Sequence, residues 1–212
     1  MSNFSAKRTF DALLAFFGLL MASPVWCVIM ALVYCEDRGP IYYLQERLGK
    51  DGKIFKVIKF RSMVVQAERG TGPIQAREHD ARVTSVGRLL RETAMDELPQ
   101  LVNILKGEMS FVGPRALRPF EIEYRTGGST DLEHNAQVAA RQSVSPGLTG
   151  VAQVFAPCDA VIAEKLRYDL WYIRHRTFSL DIKLILLSFF ITFRGKWEDR
   201  GKKLWFLRIP VV

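Results

Sequence analysis

The sequence predicts an α+β protein with an N-terminal membrane anchor, on three observations. An uncharged apolar run covers residues 12–34, a hairpin pattern follows at residues 41–60, and helical periodicity carries much of the remainder. At 212 residues, with 49% hydrophobic and 25% charged, the chain has enough material for one domain with a core, and disorder is excluded. Three parts are delimited: an anchor over residues 1–38, a domain over 39–196 and a basic, aromatic tail over 197–212.

The run ALLAFFGLLMASPVWCVIMALVY would make about 35 Å of helix, enough for a hydrocarbon core of roughly 30 Å. It is too long for a cleaved signal peptide and lacks a small-residue cleavage site. Ser23-Pro24 stands near its centre. Proline removes a backbone hydrogen bond and predicts a kink, and the serine hydroxyl can satisfy the freed carbonyl. Lys7 and Arg8 precede the run and a basic domain follows it, so both flanks favour the same side of a bilayer. On these residues alone, a kinked spanning helix and a re-entrant one stand equally.

After Gly39-Pro40, IYYLQERLGKDGKIFKVIKF reads as two strands joined by a turn at Asp51-Gly52. Residues 64–82 are polar and glycine-bearing and read as a surface loop. Leu98, Leu101, Val102 and Leu105 recur at helical spacing, with Asp96-Glu97 at the helix start, Pro99 in its first turn and Gly107 at its end. SPGLTGVAQVF reads as a Pro-Gly turn leading into a short strand, and residues 160–176 as an amphipathic helix. The apolar stretch 180–193 is too short to span; it is either a core helix or, with the tail, an interfacial one.

Lysine and arginine number 30 against 22 acidic residues, a net charge of +8 that suits an anionic partner. Nucleic acid is disfavoured because no helix-turn-helix, RRM or zinc-finger pattern accompanies the charge. Cys27, Cys35 and Cys158 form no CxxC pair, and His79, His134 and His175 show no ligand spacing.

Acidic residues at a helix start usually cap free N–H groups, and Asp96-Glu97 can be read that way. The same dipole stabilises anions and keeps a carboxylate ionised, as a nucleophile requires. Lys59 and Arg61 in KFRSM, Arg88 and Arg91 before the pair, and Arg115 and Arg118 after it supply cations. A carboxylate approaching a diphosphate needs such neutralisation, and arginine's fork suits phosphate. A divalent ion, magnesium above all, would add to it.

KFRSM, RLLRETAMDELPQLVNILKGEMSFVGPR and PGLTGVAQV, with an N-terminal KRTFD and the Ser-Pro-broken run, together resemble the monotopic phosphoglycosyl transferases, a bacterial sugar transferase family. The likeness extends from about Lys7 to about Arg194. It implies a re-entrant anchor broken at Ser23-Pro24, a small hairpin and amphipathic interfacial helices around a catalytic domain on the cytoplasmic face of the bacterial inner membrane. It implies that Asp96 attacks the sugar-bearing phosphate of a UDP-sugar, that UMP leaves, and that undecaprenyl phosphate displaces the aspartyl phosphosugar. Glu97 would assist and, with Asp96, place Mg2+. The arginines matching Arg91 and Arg115 would hold phosphate.

Ala116 in GPRA, Val151 and Phe155-Ala156 in VAQVFA, and Ser145 before the Pro-Gly turn depart from the family's pattern. They leave the acidic pair intact and put the accepted sugar in doubt. The sequence lacks the large membrane extension of some relatives, which marks it as the minimal form. The sugar, the pathway and the oligomeric state, a homodimer included, stay open. The alternative is a non-catalytic membrane-surface scaffold of the same fold, which would have lost the pair or its arginines.

Overall fold

A computed structural model describes residues 2–67, 69, 80–119, 132–156 and 162–193. Most of the expected polar loop, Cys158, His79 and the tail lie outside the described residues. The described chain is mixed: helices pack around two separate two-stranded sheets.

Helix α1 runs from Ser2 to Asp37 and carries the apolar run. It continues through Pro24, where the sequence predicts a kink. Pro24 leaves the Leu20 carbonyl without its usual donor, and the Ser23 hydroxyl takes that place at 2.8 Å. One face of α1 is buried, through Asp11, Ala15, Ile29 and Val33. The opposite face exposes Leu13, Phe16, Phe17, Leu20, Met21, Val25, Val28 and Leu32. An exposed apolar surface of that extent needs a partner other than water.

Both ends of α1 are tied to the rest of the molecule. Lys7 pairs with Asp181 at 2.5 Å, and Arg8 donates to the Ile104 and Leu105 carbonyls, each at 2.6 Å. At the other end Asp37 pairs with Arg61, and Glu36 accepts from the Ser85 and Val86 N–H groups at 2.7 and 3.2 Å.

Strands β1 (Tyr42–Leu48) and β2 (Ile54–Phe60) form the expected antiparallel hairpin. Asp51 and Gly52 both adopt positive φ, 56° and 71°, the geometry that selects an Asp-Gly turn. The register pairs Tyr43 with Lys59, Gln45 with Val57 and Arg47 with Phe55, which places these six on one face. Tyr42 on the other face stacks on Phe60, and the Trp26 Nε1 donates to its hydroxyl at 2.8 Å.

Helix α2 spans Ser85–Glu92 with Thr84 as its cap, its hydroxyl accepting from Gly87 N at 3.0 Å. A 3-10 turn, Met95–Glu97, then leads into α3 (Gln100–Lys106), which Gly107 ends in the left-handed region as expected. Asn103 on α3 is fully buried. It accepts from Ile58 N at 3.0 Å and donates to Lys56 O at 2.8 Å, so it joins α3 to β2. Small residues Ala15 and Gly18 let α3 approach α1: a Cβ on Gly18 would stand 3.3 Å from Leu101.

Strand β3 (Ser110–Val112) pairs in parallel with β4 (Gly147–Thr149), the short strand expected after the Pro-Gly turn. Helix α4 (Leu132–Gln142) precedes β4, and VAQVF folds as α5 (Val151–Phe155). Helix α6 covers Ile162–His175 and α7 Phe178–Phe193. Leu184, Ile185 and Ile191 of α7 are buried while Leu186, Phe189 and Phe190 are exposed. The core-helix reading of this stretch holds for one face, and the other exposes apolar side chains.

Candidate active site

Asp96 sits in the 3-10 turn between α2 and α3, directly after Ala94 at φ 54°. A non-glycine residue there is uncommon and marks a turn held by its surroundings. The helix-cap reading of Asp96 fails: its carboxylate bonds none of the N–H groups at the start of α3. Among the described residues it accepts no hydrogen bond and forms no ion pair, although it is only 9% exposed. A mostly buried carboxylate that no protein group holds, with oxygens not fully sealed from solvent, is open to a ligand, and perturbed groups of this kind concentrate where a protein does chemistry.

Burial, and the adjacent Glu97, push the Asp96 carboxyl up to about 6 against the pull of Lys59, Arg91 and Arg115. Glu97 behaves oppositely. Burial would raise it, yet Lys59, Arg115 and Arg47 outweigh that and hold it well below the usual carboxylate range. The Lys59 ammonium bonds Glu97 Oε1 at 2.5 Å. The pair therefore divides its roles, with one carboxylate permanently charged and clamped and the other unclamped and ionised at neutral pH.

Lys59, Arg91 and Arg115 are thus the expected cations that the fold gathers at the pair. Arg91 is held by the Ser62 hydroxyl at 2.8 Å, which aims α2 toward β2. Of the other three sequence candidates, Arg61 is buried and pairs with Asp37, so it anchors the end of α1. Arg88 is exposed on α2 and is not among the leading charges on Asp96 or Glu97. Arg118 is half-buried three residues beyond Arg115 and is likewise not among those leading charges.

The structure adds residues that the motif reading passed over. An open cleft beside the pair is lined by Glu97 and Lys59 together with Arg47, Gln100, Met109, Arg115 and Leu148. Arg47 shares the inward face of the hairpin with Lys59, and that period-2 register is the signal by which it could have been found. No cluster of three or more metal-ligating side chains occurs among the described residues. Of the adjacent carboxylates, Glu97 lines this cleft and Asp96 stands beside it in the same turn; two carboxylates are the number magnesium commonly takes when substrate phosphates complete its shell.

A two-carboxylate turn among arginine and lysine side chains can meet a phosphate-bearing ligand. Residues 2–195 match the family of bacterial sugar transferases. The UDP-glucose:undecaprenyl-phosphate glucose-1-phosphate transferase of Escherichia coli (strain K12) is 40% identical over 195 residues, covering 90% of this chain and 40% of that protein. The exopolysaccharide production protein ExoY of Rhizobium meliloti (strain 1021) is 36% identical over 197 residues, 85% of this chain and 82% of that protein. A putative undecaprenyl-phosphate N-acetylgalactosaminyl 1-phosphate transferase of Bacillus subtilis (strain 168) is 49% identical over 113 residues, 53% of this chain and 63% of that protein. The chain spans about 40% of the length of several of the curated relatives it matches. With nearly its whole length matched and the acidic pair set among its cations, this chain belongs to the bacterial sugar transferase family.

Proposed function

We propose that this protein moves a sugar-1-phosphate from a UDP-sugar to undecaprenyl phosphate at the cytoplasmic face of a bacterial inner membrane. The observation that carries the reading is the unbonded Asp96 carboxylate among Lys59, Arg91 and Arg115. An Asp96 oxygen attacks the sugar-bearing phosphorus, the bond to the UMP oxygen breaks, and UMP leaves with that electron pair. The protein then carries an aspartyl phosphosugar. A phosphate oxygen of the lipid attacks the same phosphorus, the Asp96 carboxylate departs, and the lipid diphosphosugar forms. Arg91, Arg115 and Lys59 neutralise the phosphate oxygens that would otherwise repel the carboxylate.

Asp96 and Glu97 are the residues that would hold Mg2+, and the ion when bound would neutralise the diphosphate and ease UMP departure. Two carboxylates with oxygen donors suit it, and the depressed Glu97 stays charged for it. Titrating Mg2+ into the protein without donor should alter Trp or Tyr fluorescence or thermal stability in wild type and not in Glu97→Gln. An identical response in both would remove Glu97 as a ligand.

The anchor is read as re-entrant. Lys7, Arg8 and Asp11 near one end of α1 and Glu36 and Asp37 at the other are all bonded to the same domain. Ties at both ends to one domain support keeping both ends on one side of a bilayer, with the bend expected at Pro24 and the apolar outer face in one leaflet. The exposed Leu186, Phe189 and Phe190 of α7 fit the headgroup region.

The test is UMP release from a panel of UDP-sugars, including UDP-glucose, by purified protein with undecaprenyl phosphate. Release by wild type and its loss in Asp96→Asn are expected. Wild-type turnover in that variant would overturn the reading.

A further inference from the structure

The segment Pro114–Leu117, PRAL, lies beyond β3 and meets β4 through an isolated parallel bridge between Arg115 and Gly147, and all four of its carbonyls are held. Gly147 N donates to Pro114 O and Leu48 N to Leu117 O, each at 2.9 Å. Between them, the Arg141 Nη2 donates to Arg115 O, and the Arg47 Nη1 donates to Ala116 O at 2.9 Å. The donors come from β4, α4 and β1. The backbone is fixed from three sides, and the exposed side chain it carries, between buried Pro114 and Ala116, is Arg115.

Both side-chain donors are buried arginines, each 9% exposed. Arg141 is oriented in turn by Asp169 of α6, Nε to Oδ2 at 2.7 Å. A buried ion pair is weak as a source of stability, since apolar residues of similar volume often serve as well. What an apolar pair cannot do is donate to the Arg115 carbonyl. The guanidinium fork does both at once, with Nε on the carboxylate and Nη2 on the carbonyl. Arg115 also feels the Asp169 charge, and its own charge acts on both Asp96 and Glu97.

We propose that Arg141, oriented by Asp169, and Arg47 are positioning residues that lock the Pro114–Leu117 backbone and so fix the Arg115 guanidinium beside the acidic pair. This rests on the reading of Arg115 as a phosphate-holding cation. A misplacement of about 1 Å at such a group can lower turnover on the order of 100-fold without any contact to substrate being removed by the mutation itself.

The experiment is a double-mutant cycle on the full chain in lipid nanodiscs, using the UDP-sugar that gives wild type its highest UMP release. Arg141→Met combined with Asp169→Leu removes the donor without leaving an unpaired buried charge. It should keep the melting temperature within a few degrees and lower kcat/KM about 30- to 100-fold. In an Arg115→Ala background the same pair of substitutions should add less than about a twofold loss. A large Arg115→Ala effect with an unaffected Arg141/Asp169 variant would overturn the positioning role while leaving the function standing. Equal losses in both backgrounds would overturn it too, since the pair would then act independently of Arg115. A silent Arg115→Ala would instead overturn the phosphate-holding reading, and the positioning role with it. If the double variant does not fold, Arg141→Lys keeps a charge for Asp169 without the second donor and should show the same pattern.

Discussion

Two groups of buried carboxylates stand in this molecule, and they are treated oppositely. Asp11 accepts from the Ser110 hydroxyl at 2.7 Å and from Phe111 N at 3.3 Å. Asp181 is bonded by Lys7 at 2.5 Å and by the Tyr172 hydroxyl at 2.7 Å. Asp169 is matched by Arg141. Asp96, buried but less deeply, has cations around it and none bonded to it. The first group joins α1, β3, α6 and α7. The second is left unsatisfied, and a carboxylate without fixed partners is the one able to meet a phosphate. Proximity of charge is common to both; satisfaction separates structural from reactive.

The comparison is broken most directly by substitution at its two poles. Asp96→Asn should lower transfer by at least about 1,000-fold, the scale of removing a covalent nucleophile. It should also raise stability at pH 8. The Asp96 carboxyl has its proton affinity raised by folding, so ionising it above about pH 6 costs stability. A neutral Asn escapes that cost, which is bounded at about 3 kcal/mol, and the gain should vanish as pH falls from 6 toward 4. Asp181→Asn should do the reverse, destabilising by about 2–3 kcal/mol while leaving the pH profile of the residual activity unchanged. Thermal melts of both variants at pH 4 and pH 8, beside activity, check the contrast.

The raised Asp96 value sharpens the same point in solution. For free protein, kcat/KM should rise with pH through about 6 and fall about tenfold per unit below it. Lys59→Met removes the cation that most favours an ionised Asp96, so the limb should move to higher pH. A limb that stays near 6 would mean that Lys59 acts on Glu97 alone.

Smaller effects distinguish gathered arginines from scattered ones. Arg91→Ala should lower kcat/KM about 10- to 100-fold, whereas Arg88→Ala should stay within about twofold. Steady-state kinetics on the two variants decides it, and equal losses would contradict the placement of Arg88 outside the site. Pro24→Leu restores the Leu20 hydrogen bond and should carry the N-terminus toward the far side, read by cysteine labelling. Labelling that stays cytoplasmic would mean that the ties at Lys7, Arg8 and Asp37 hold the helix by themselves.

Much of this was legible in the sequence because it is local. The hairpin follows from alternation and an Asp-Gly turn, and the end of α3 from Gly107. The extended motif singles out Asp96 before any geometry is known. What was not legible depends on partners distant in the chain. Arg61 reads as a site cation until Asp37, across the Gly39-Pro40 turn, is seen to hold it. Arg47 looks like an ordinary strand residue until the hairpin register sets it beside Lys59. The parallel pairing of β3 with β4 joins segments of three residues each, too short for periodicity to reveal. The continuation of α1 through Pro24 was not legible either; there the Ser23 hydroxyl bonds the Leu20 carbonyl that proline leaves without its donor.

The central claim is that Asp96 forms the covalent bond to phosphorus. Mass spectrometry of the protein incubated with its UDP-sugar and no lipid acceptor tests it most directly. A sugar-phosphate adduct on the peptide bearing Asp96, lost on adding undecaprenyl phosphate and absent from Asp96→Asn, is the predicted result. Turnover without any adduct, or an adduct that persists in Asp96→Asn, would contradict it.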